Sequence, residues 1–276
     1  MKQNGRRNNT GSRVILAVLL LVLLYACSVP AKIKKTALSN PVIAHRGAFK
    51  KNGFPENSIA SLREAIRLGC GGSEFDVRMT ADDSLVINHD PEFHHLSIEQ
   101  STYAQLQAFS LSNGEKIPTL QEYLAAGLAN NPHTRLICEI KPSTVNTERG
   151  QRIAAKVVEL VERVGASSRV DYISFDYAIL QKIISVNPKA HTQYLDGNKA
   201  PAELAKDKIA GADYHYSVFK NKPEWITEAN KHNIVLNAWT VNDTATMHWL
   251  LDRGVQLITT NEPELLFSLL AERKNK

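Results

Sequence analysis

The sequence predicts a single TIM-type (β/α)₈ barrel in the α/β class, preceded by an amino-terminal export segment. Short, almost wholly apolar runs alternate with amphipathic helical patterns from Pro41 to the end of the chain. Eight such pairs fit into about 235 residues, which is a usual length for this barrel. Strands without a polar face are typical of a parallel sheet that is covered on both sides. A doubly wound open sheet is the structural alternative, but the sequence has no glycine-rich dinucleotide loop to support it.

The spacing of apolar residues places the individual elements. The strands are predicted at Val42–His45, Glu74–Arg78, Arg135–Ile140, Val170–Phe175, Thr192–Leu195, Ala212–Tyr216, Val235–Thr240 and Leu257–Thr259. The helices that follow them are predicted near Asn57–Leu68, Leu120–Ala129, Gln151–Val164, Ala178–Val186, Ala202–Lys208, Glu224–Lys231, Ala245–Arg253 and Pro263–Glu272. The second unit contains an unusually long connection, Pro91 to Thr119, with one short helix predicted at Tyr103 to Phe109.

The first 26 residues predict export. Met1 to Arg13 is basic and has no acidic residue, and Val14 to Ala26 is an unbroken apolar run. This run is shorter than the roughly 20 residues of a transmembrane helix and suits the core of a signal peptide. It ends in Leu24-Tyr25-Ala26-Cys27, which resembles a bacterial lipobox, where the cysteine is acylated. We therefore expect a signal peptide over 1–26, a lipid anchor on Cys27, a tether over 27–40 and the barrel over 41–276.

These segments predict a lipoprotein of the bacterial cell envelope, anchored in the membrane and facing the periplasm or the exterior. Ordinary signal cleavage, which would give a secreted or periplasmic protein, and an uncleaved anchor are the alternatives. Without the four basic leader residues, 29 basic residues face 28 acidic ones, so the net charge falls from +5 to +1. That balance gives no reason to expect nucleic-acid binding, and no protein partner can be inferred.

Cys70 and Cys138 are the two remaining cysteines. We expect both to be small buried apolar side chains. A disulfide between them is the alternative in an oxidising compartment.

Two carboxylates on the second predicted strand give the strongest sign of chemistry. Glu74 and Asp76 are two residues apart, so their side chains point to one face of the strand. Carboxylates on one face repel each other unless a positive charge lies between them, and a hard divalent cation takes such oxygen ligands. Glu139 lies at the end of another predicted strand, and active sites of these barrels lie at strand carboxyl ends. We predict that the three residues hold one Mg²⁺ or Ca²⁺. The alternative is that each carboxylate pairs with a nearby arginine or lysine.

Six short motifs in this order resemble the glycerophosphodiester phosphodiesterase family. They are His45-Arg46-Gly47, Pro55-Glu56-Asn57-Ser58, Glu74-x-Asp76, His89-Asp90, Glu139-Ile140-Lys141-Pro142 and Trp239-Thr240-Val241-Asn242. The resemblance implies a TIM-type barrel and metal-dependent hydrolysis of a small glycerophosphodiester to glycerol 3-phosphate and an alcohol. It further implies that the adjacent hydroxyl of the glycerol attacks, giving a cyclic phosphate that water then opens.

Within this chemistry, the remaining candidates have defined roles. His45 and His89 would be the acid–base pair, because imidazole titrates near neutral pH, but the sequence leaves open which one is the base. Arg46 suits a two-pronged grip on phosphate oxygens, and Lys141 would hold the phosphate or the glycerol. Trp239 would form a wall for the glycerol carbons, with plain barrel packing as the alternative.

One position departs from the family pattern, and one motif also has a structural explanation. Asn261 stands where the family often has aspartate, which removes a carboxylate from the barrel mouth. In Pro55-Glu56-Asn57-Ser58, Glu56 would be a further polar group near the metal, and Asn57 is expected to cap the helix.

Two other functions use the same sequence evidence. One is a phospholipase that acts on intact phospholipids or lysophospholipids with the same site. The other is a non-catalytic surface-binding lipoprotein whose barrel has lost its enzymatic activity.

Overall fold

The computed structural model describes Met1 and residues 40–275. The predicted signal peptide, Cys27 and the tether as far as residue 39 fall outside these described residues, apart from Met1. No helix in the described part of the chain is both long enough and apolar enough to cross a membrane.

The predicted barrel is confirmed. The described strands are β1 (Val42–Ala44), β2 (Gly72–Met79), β3 (Leu85–Ile87), β4 (Glu92–Phe93), β5 (Leu96–Ser97), β6 (Arg135–Ile140), β7 (Val170–Ser174), β8 (His191–Tyr194), β9 (Gly211–His215), β10 (Val235–Trp239) and β11 (Leu257–Thr260). A parallel barrel closes in the order β1-β2-β6-β7-β8-β9-β10-β11, because β1 pairs with both β2 and β11. Strand β3 adds antiparallel to β2, and β4 and β5 form a small separate hairpin.

Helices cover the outside of the barrel. They are α1 (Ile59–Leu68), α2 (Tyr103–Leu106), α3 (Leu120–Leu128), α4 (Thr147–Arg163), α5 (Tyr177–Val186), α6 (Pro201–Lys206), α7 (Tyr216–Asn221), α8 (Glu224–His232), α9 (Thr244–Asp252) and α10 (Pro263–Lys274), with a 3₁₀ turn at Ile98–Gln100. Helix α4 begins earlier than predicted because the Asn146 side chain caps it, accepting from the backbone N–H of Arg149. Helix α7 was not predicted, since its residues were assigned in part to the preceding strand.

The alternation of side chains along the strands separates two apolar regions. A small cluster fills the barrel interior, and a much larger one packs between the strands and the helices. The interior cluster comprises Ile43, Ile137, Ile173, Leu195 and Leu257. Cys70 and Cys138 are buried free thiols in the outer cluster, so the expectation of small buried side chains is confirmed and the disulfide alternative is wrong.

The long connection after β3 folds onto the barrel mouth around its own apolar cluster. Its buried Glu99 accepts hydrogen bonds from the hydroxyl of Ser143 at 2.7 Å and the backbone N–H of Thr144 at 2.9 Å. Glu99 also pairs with Arg149, whose Nε lies 2.9 Å from its carboxylate. These bonds fix the chain that directly follows Lys141 and Pro142 at the end of β6.

Loss of the Glu99 carboxylate should therefore destabilise the mouth. We expect Glu99→Ala to lower the free energy of unfolding by about 3 kcal/mol, because it leaves the guanidinium of Arg149 without its buried partner. Urea unfolding followed by circular dichroism measures this change.

Glu159→Ala is the matched control, since Glu159 pairs with Arg163 on an exposed face of α4 at 3.4 Å. Its expected cost is about 0.5 kcal/mol or less. If both variants lowered the free energy of unfolding by the same amount, Glu99 would not be fixing the chain that follows Lys141 and Pro142.

Candidate active site

Three acidic side chains converge at the carboxyl ends of neighbouring strands. Carboxylate oxygens of Glu74, Asp76 and Glu139 all lie within 4.8 Å of one another, and all three residues are buried. Strands β2 and β6 pair with Asp76 directly beside Glu139, which explains how positions far apart in sequence meet. The predicted convergence of the three carboxylates is thus present in the structure.

Asn57 contributes to this cluster in an unexpected way. Ser58, not Asn57, caps helix α1, with its side chain accepting from the backbone N–H of Ser61, so the predicted cap was wrong. The amide of Asn57 instead donates to Asp76 Oδ2 at 2.7 Å and accepts from the backbone N–H of Asp76 at 3.2 Å. A left-handed backbone at Asn57, φ 59°, turns the side chain inward.

Two cations lie against the carboxylates. Lys141 Nζ is 2.7 Å from Glu139 and 3.1 Å from Asp76. Arg46 Nε is 3.6 Å from Asp76, while Arg46 Nη1 is held by both oxygens of the half-exposed Glu56, at 2.8 and 2.9 Å. Lys141 therefore offsets part of the negative charge of Asp76 and Glu139, and Glu56 contacts Arg46.

Burial and mutual repulsion dominate the electrostatics of the cluster. Burial and the neighbouring carboxylates raise the pKa of Glu74 well above its usual range. Burial and Asp76 raise the pKa of Glu139 to about 7, against the opposing effect of Lys141. Burial also opposes ionisation of Asp76, but Lys141 and Asn57 outweigh it and hold the pKa of Asp76 below its usual value.

The donor set fits a hard divalent cation. Glu74 accepts one hydrogen bond, from the backbone N–H of Arg46 to Oε2 at 2.8 Å. Its other oxygen, Oε1, is buried and has no hydrogen-bond partner among the described residues. A buried acceptor without a partner is costly, and oxygen ligands of this kind are what Mg²⁺ and Ca²⁺ take.

His45 follows β1 and points at this cluster. Its Nδ1 lies 2.7 Å from the amide oxygen of Asn261, and its Nε2 lies 3.9 Å from Glu74. Since an amide oxygen only accepts, Nδ1 carries the proton and Nε2 keeps a free lone pair. Burial and the charge of Arg46 lower the pKa of His45 to about 4, although the bond to Asn261 raises it.

His89 approaches the cluster from the end of β3 and has a different partner. Its Nδ1 is 2.7 Å from the exposed carboxylate of Asp90. Arg78, on the same face of β2 as Asp76, donates from Nε and Nη2 to the carbonyl oxygen of His89 at 3.0 and 2.7 Å. Arg78 therefore fixes the backbone that carries this imidazole.

A cavity of about 140 Å³ connects these groups. Its lining includes the polar side chains of the two histidines, Arg46, Glu74, Glu139 and Lys141 and the apolar side chains of Ile173, Phe175, Leu195 and Trp239. The Trp239 ring meets Phe175 edge-on, with centroids 5.5 Å apart, and its Nε1 donates to the backbone oxygen of Asp213 at 2.9 Å. Trp239 is thus both packed and exposed to the cavity.

The site also contains residues that the sequence analysis did not select. Asp213 and Phe175 line the cavity, and Arg78 holds His89. Strand alternation was the available signal, because Asp213 has the inward parity of β9 and Arg78 that of β2. His215, left unassigned, packs beside Trp239 with ring centroids 5.2 Å apart.

Comparisons with known proteins agree with this geometry. A family model described as "Glycerophosphoryl diester phosphodiesterase family" matches residues 45–265. The chain belongs to this family. A crystal structure of a glycerophosphodiester phosphodiesterase from Parabacteroides distasonis is 40% identical, with a TM-score of 0.82, over 85% of this chain and 98% of that one.

Two further relatives extend the comparison. A glycerophosphodiester phosphodiesterase of Caldanaerobacter subterraneus is 29% identical over 83% of this chain and 97% of its own length. A phosphodiesterase from Oleispira antarctica, solved with its product sn-glycerol 3-phosphate, has a TM-score of 0.71 at 23% identity, covering 83% of this chain and 96% of that one. The predicted family and the predicted enzyme class, a glycerophosphodiester phosphodiesterase, are confirmed.

Gly47 shapes the loop that carries His45 and Arg46. It has φ +80°, and a Cβ there would lie 2.6 Å from the backbone carbon of Ser61. We expect Gly47→Ala to cost about 3 kcal/mol of unfolding free energy, from left-handed strain plus the collision, and to lower phosphodiesterase turnover.

Gly53→Ala separates these two causes, because Gly53 has φ +65° but nothing within 4 Å of the added Cβ. In urea unfolding, this control should lose about 1 kcal/mol of unfolding free energy, which is the cost of the left-handed strain alone. A Gly47→Ala protein no less stable than the control would refute the collision.

Proposed function

We propose that this phosphodiesterase uses one divalent cation and two histidines to hydrolyse glycerophosphodiesters to glycerol 3-phosphate and an alcohol. The observation that carries the proposal is the buried cluster of Glu74, Asp76 and Glu139 between two imidazoles whose partners differ. The product bound to the Oleispira antarctica relative supports the choice of glycerol 3-phosphate.

Glu74, Asp76 and Glu139 would hold the cation, Mg²⁺ or Ca²⁺. When bound, such an ion supplies positive charge that offsets the charge developing on the phosphate oxygens. Lys141 and Arg46 face the same space and would bind the non-bridging oxygens, since ionised donors give short, strong bonds to phosphate.

The partners of the two histidines support a division of roles in the first step. His45 is neutral with a free Nε2, so it would take the proton of the attacking glycerol hydroxyl. As the new O–P bond forms, the bond from phosphorus to the leaving alcohol breaks. His89, whose Nδ1 lies against the Asp90 carboxylate, would give its proton to the departing oxygen.

The second step reverses these roles. His89, now neutral, would take a proton from water as the water oxygen bonds to phosphorus. The ring O–P bond of the cyclic phosphate breaks, and His45 returns its proton to the glycerol oxygen. Both histidines end in their starting state, and the net reaction consumes one water.

The phospholipase alternative needs an apolar rim that would meet a lipid. Among the described residues, Phe175 and Val145 are the exposed large apolar side chains on loops at the strand carboxyl ends. Two such side chains do not form a contiguous patch of several hundred Å². We therefore favour deacylated substrates.

The cation site gives the central test. Saturating Mg²⁺ or Ca²⁺ at about 100 times its Kd should stabilise the protein by about 2.7 kcal/mol and support release of glycerol 3-phosphate. A chelator, or the joint replacement Glu74→Gln and Asp76→Asn, should remove the stabilisation and lower kcat/KM about a thousand-fold. Thermal unfolding and a coupled glycerol 3-phosphate assay measure both effects.

Glu159→Gln, an exposed acid on α4, is the control and should behave as the parent protein. His45→Ala should keep the cation-dependent stabilisation but lose about 10²- to 10⁴-fold in turnover. Cation binding that survives loss of Glu74 and Asp76 would refute the ligand set, and full turnover in His45→Ala would refute the base.

We also propose that the protein is a lipoprotein of the bacterial envelope, anchored through Cys27. The basic leader, the apolar run and the Leu24-Tyr25-Ala26-Cys27 sequence support this location. Secretion after ordinary cleavage remains the alternative.

Fatty-acid labelling tests the anchor. Cells that make the full chain with a radioactive fatty acid should label the protein and retain it in the membrane fraction. Cys27→Ser should lose the label, while Cys70→Ala, which alters a buried thiol, should keep it. Label that persists on Cys27→Ser would rule out this anchor.

A further inference from the structure

The mechanism leaves one buried acid of the cavity without a task. Asp213 lies near the carboxyl end of β9, is 1% exposed, and lines the same cavity as His45, Glu139 and Trp239. It lies outside the three-carboxylate cluster. A buried carboxyl group inside a substrate-sized space requires a physical reason.

One oxygen of this carboxyl group, Oδ1, is buried and has no hydrogen-bond partner among the described residues. Asn237, its paired neighbour on β10, lies beside Asp213 and lowers the pKa of its carboxyl group. Asn237 is itself fixed by Thr259, to which it donates at 2.9 Å and from which it accepts at 3.2 Å.

No lysine or arginine in the described part of the chain forms a salt bridge with Asp213. Burial raises its pKa to about 8; Asn237 opposes the rise and the negative charge of Glu139 adds to it. Near neutral pH the group is therefore largely an uncharged carboxylic acid, which can both donate and accept a hydrogen bond. The lining of the same cavity includes the apolar side chains of Ile173, Leu195 and Trp239.

These features match an alcohol group on a short carbon chain. An uncharged group that both donates and accepts, in a cavity that is partly apolar, suits a hydroxyl, whereas a cationic headgroup would call for an ionised carboxylate. Within a glyceryl group, the hydroxyl next to the phosphate ester is used in the attack beside His45. The terminal hydroxyl then needs a partner elsewhere in the cavity, because burying it unpaired is costly.

We propose that Asp213 is a substrate-binding residue that hydrogen-bonds the terminal hydroxyl of the glyceryl group and so sets the preference for glycerol over shorter or deoxygenated alcohols. This inference rests on the proposed function. A site built to bond a hydroxyl strongly rejects an analogue that lacks it. Asp213 would therefore determine the specificity for the glyceryl group, which all glycerophosphodiesters share.

The test compares two substrates within each variant. One is a glycerophosphodiester, and the other is the corresponding propane-1,2-diol phosphodiester, which keeps the attacking hydroxyl but lacks the terminal one. The parent enzyme should favour the glyceryl substrate by about 10- to 100-fold in kcat/KM. In Asp213→Leu this ratio should fall close to one, whereas Asp213→Asn, which is uncharged and can donate and accept, should retain most of it.

The ratio of the kcat/KM values for the two substrates is independent of the fraction of folded protein, so partial misfolding of a variant does not affect it. Gln193→Leu is the matched control, since Gln193 is buried on the adjacent strand β8 but does not line the cavity, and it should leave the ratio unchanged. An Asp213→Leu ratio equal to that of the parent would overturn the proposal. So would a loss confined to substrates with an ammonium headgroup.

Binding measurements distinguish an error in the role of Asp213 from an error in the proposed reaction. Calorimetry with glycerol 3-phosphate and with propane-1,2-diol 1-phosphate measures the same contact without turnover. A parent protein that binds both compounds equally would refute the role of Asp213 even if it hydrolyses glycerophosphodiesters. A protein that hydrolyses none of them, yet loses its preference for glycerol 3-phosphate in Asp213→Leu, would refute the reaction and leave the Asp213 contact standing.

Discussion

The repulsion among three buried carboxylates is the constraint on which the rest of the site depends. Glu74, Asp76 and Glu139 lie within 4.8 Å of one another at the barrel mouth, where water screens them poorly. Lys141 compensates Asp76 and Glu139 directly, whereas Glu74 accepts a hydrogen bond from a backbone N–H and its second oxygen has no hydrogen-bond partner among the described residues. The folded protein therefore has uncompensated negative charge in this cluster. Binding of a cation would relieve the repulsion, which is the physical basis of the proposed cation site.

Elements remote from one another in sequence keep these charges in position. The register of β2 against β6 sets Asp76 beside Glu139, and the inward turn of Asn57 clamps Asp76 from the loop before α1. Arg78 fixes the chain at His89, while Glu99 ties the long connection to the residues after Lys141. The barrel therefore supplies rigid strand ends, and buried polar contacts between neighbouring units convert them into a defined site.

Sequence reasoning succeeded where one-dimensional periodicity decides the outcome. Apolar strands and helical spacing gave the eight barrel strands, and period-two alternation put Glu74 and Asp76 on one face. It failed where a choice depends on neighbours in space. Asn57 and Ser58 are both good helix caps, and only the proximity of Asp76 draws Asn57 away from that task. Asp213 follows the same inward parity as many packed residues, and its unpaired oxygen is visible only once the cavity exists.

The amide at position 261 connects the departure from the family pattern to the proposed chemistry. Asn261 accepts from His45 Nδ1 without adding negative charge, so burial and Arg46 keep this imidazole neutral. Asp90 gives His89 a full carboxylate in a more exposed position. In the proposed first step one histidine takes a proton and the other gives one, and their different partners distinguish the two side chains. An aspartate at 261 would favour the imidazolium form of His45, so the amide found here helps to keep this imidazole in the neutral form that the proposed first step requires.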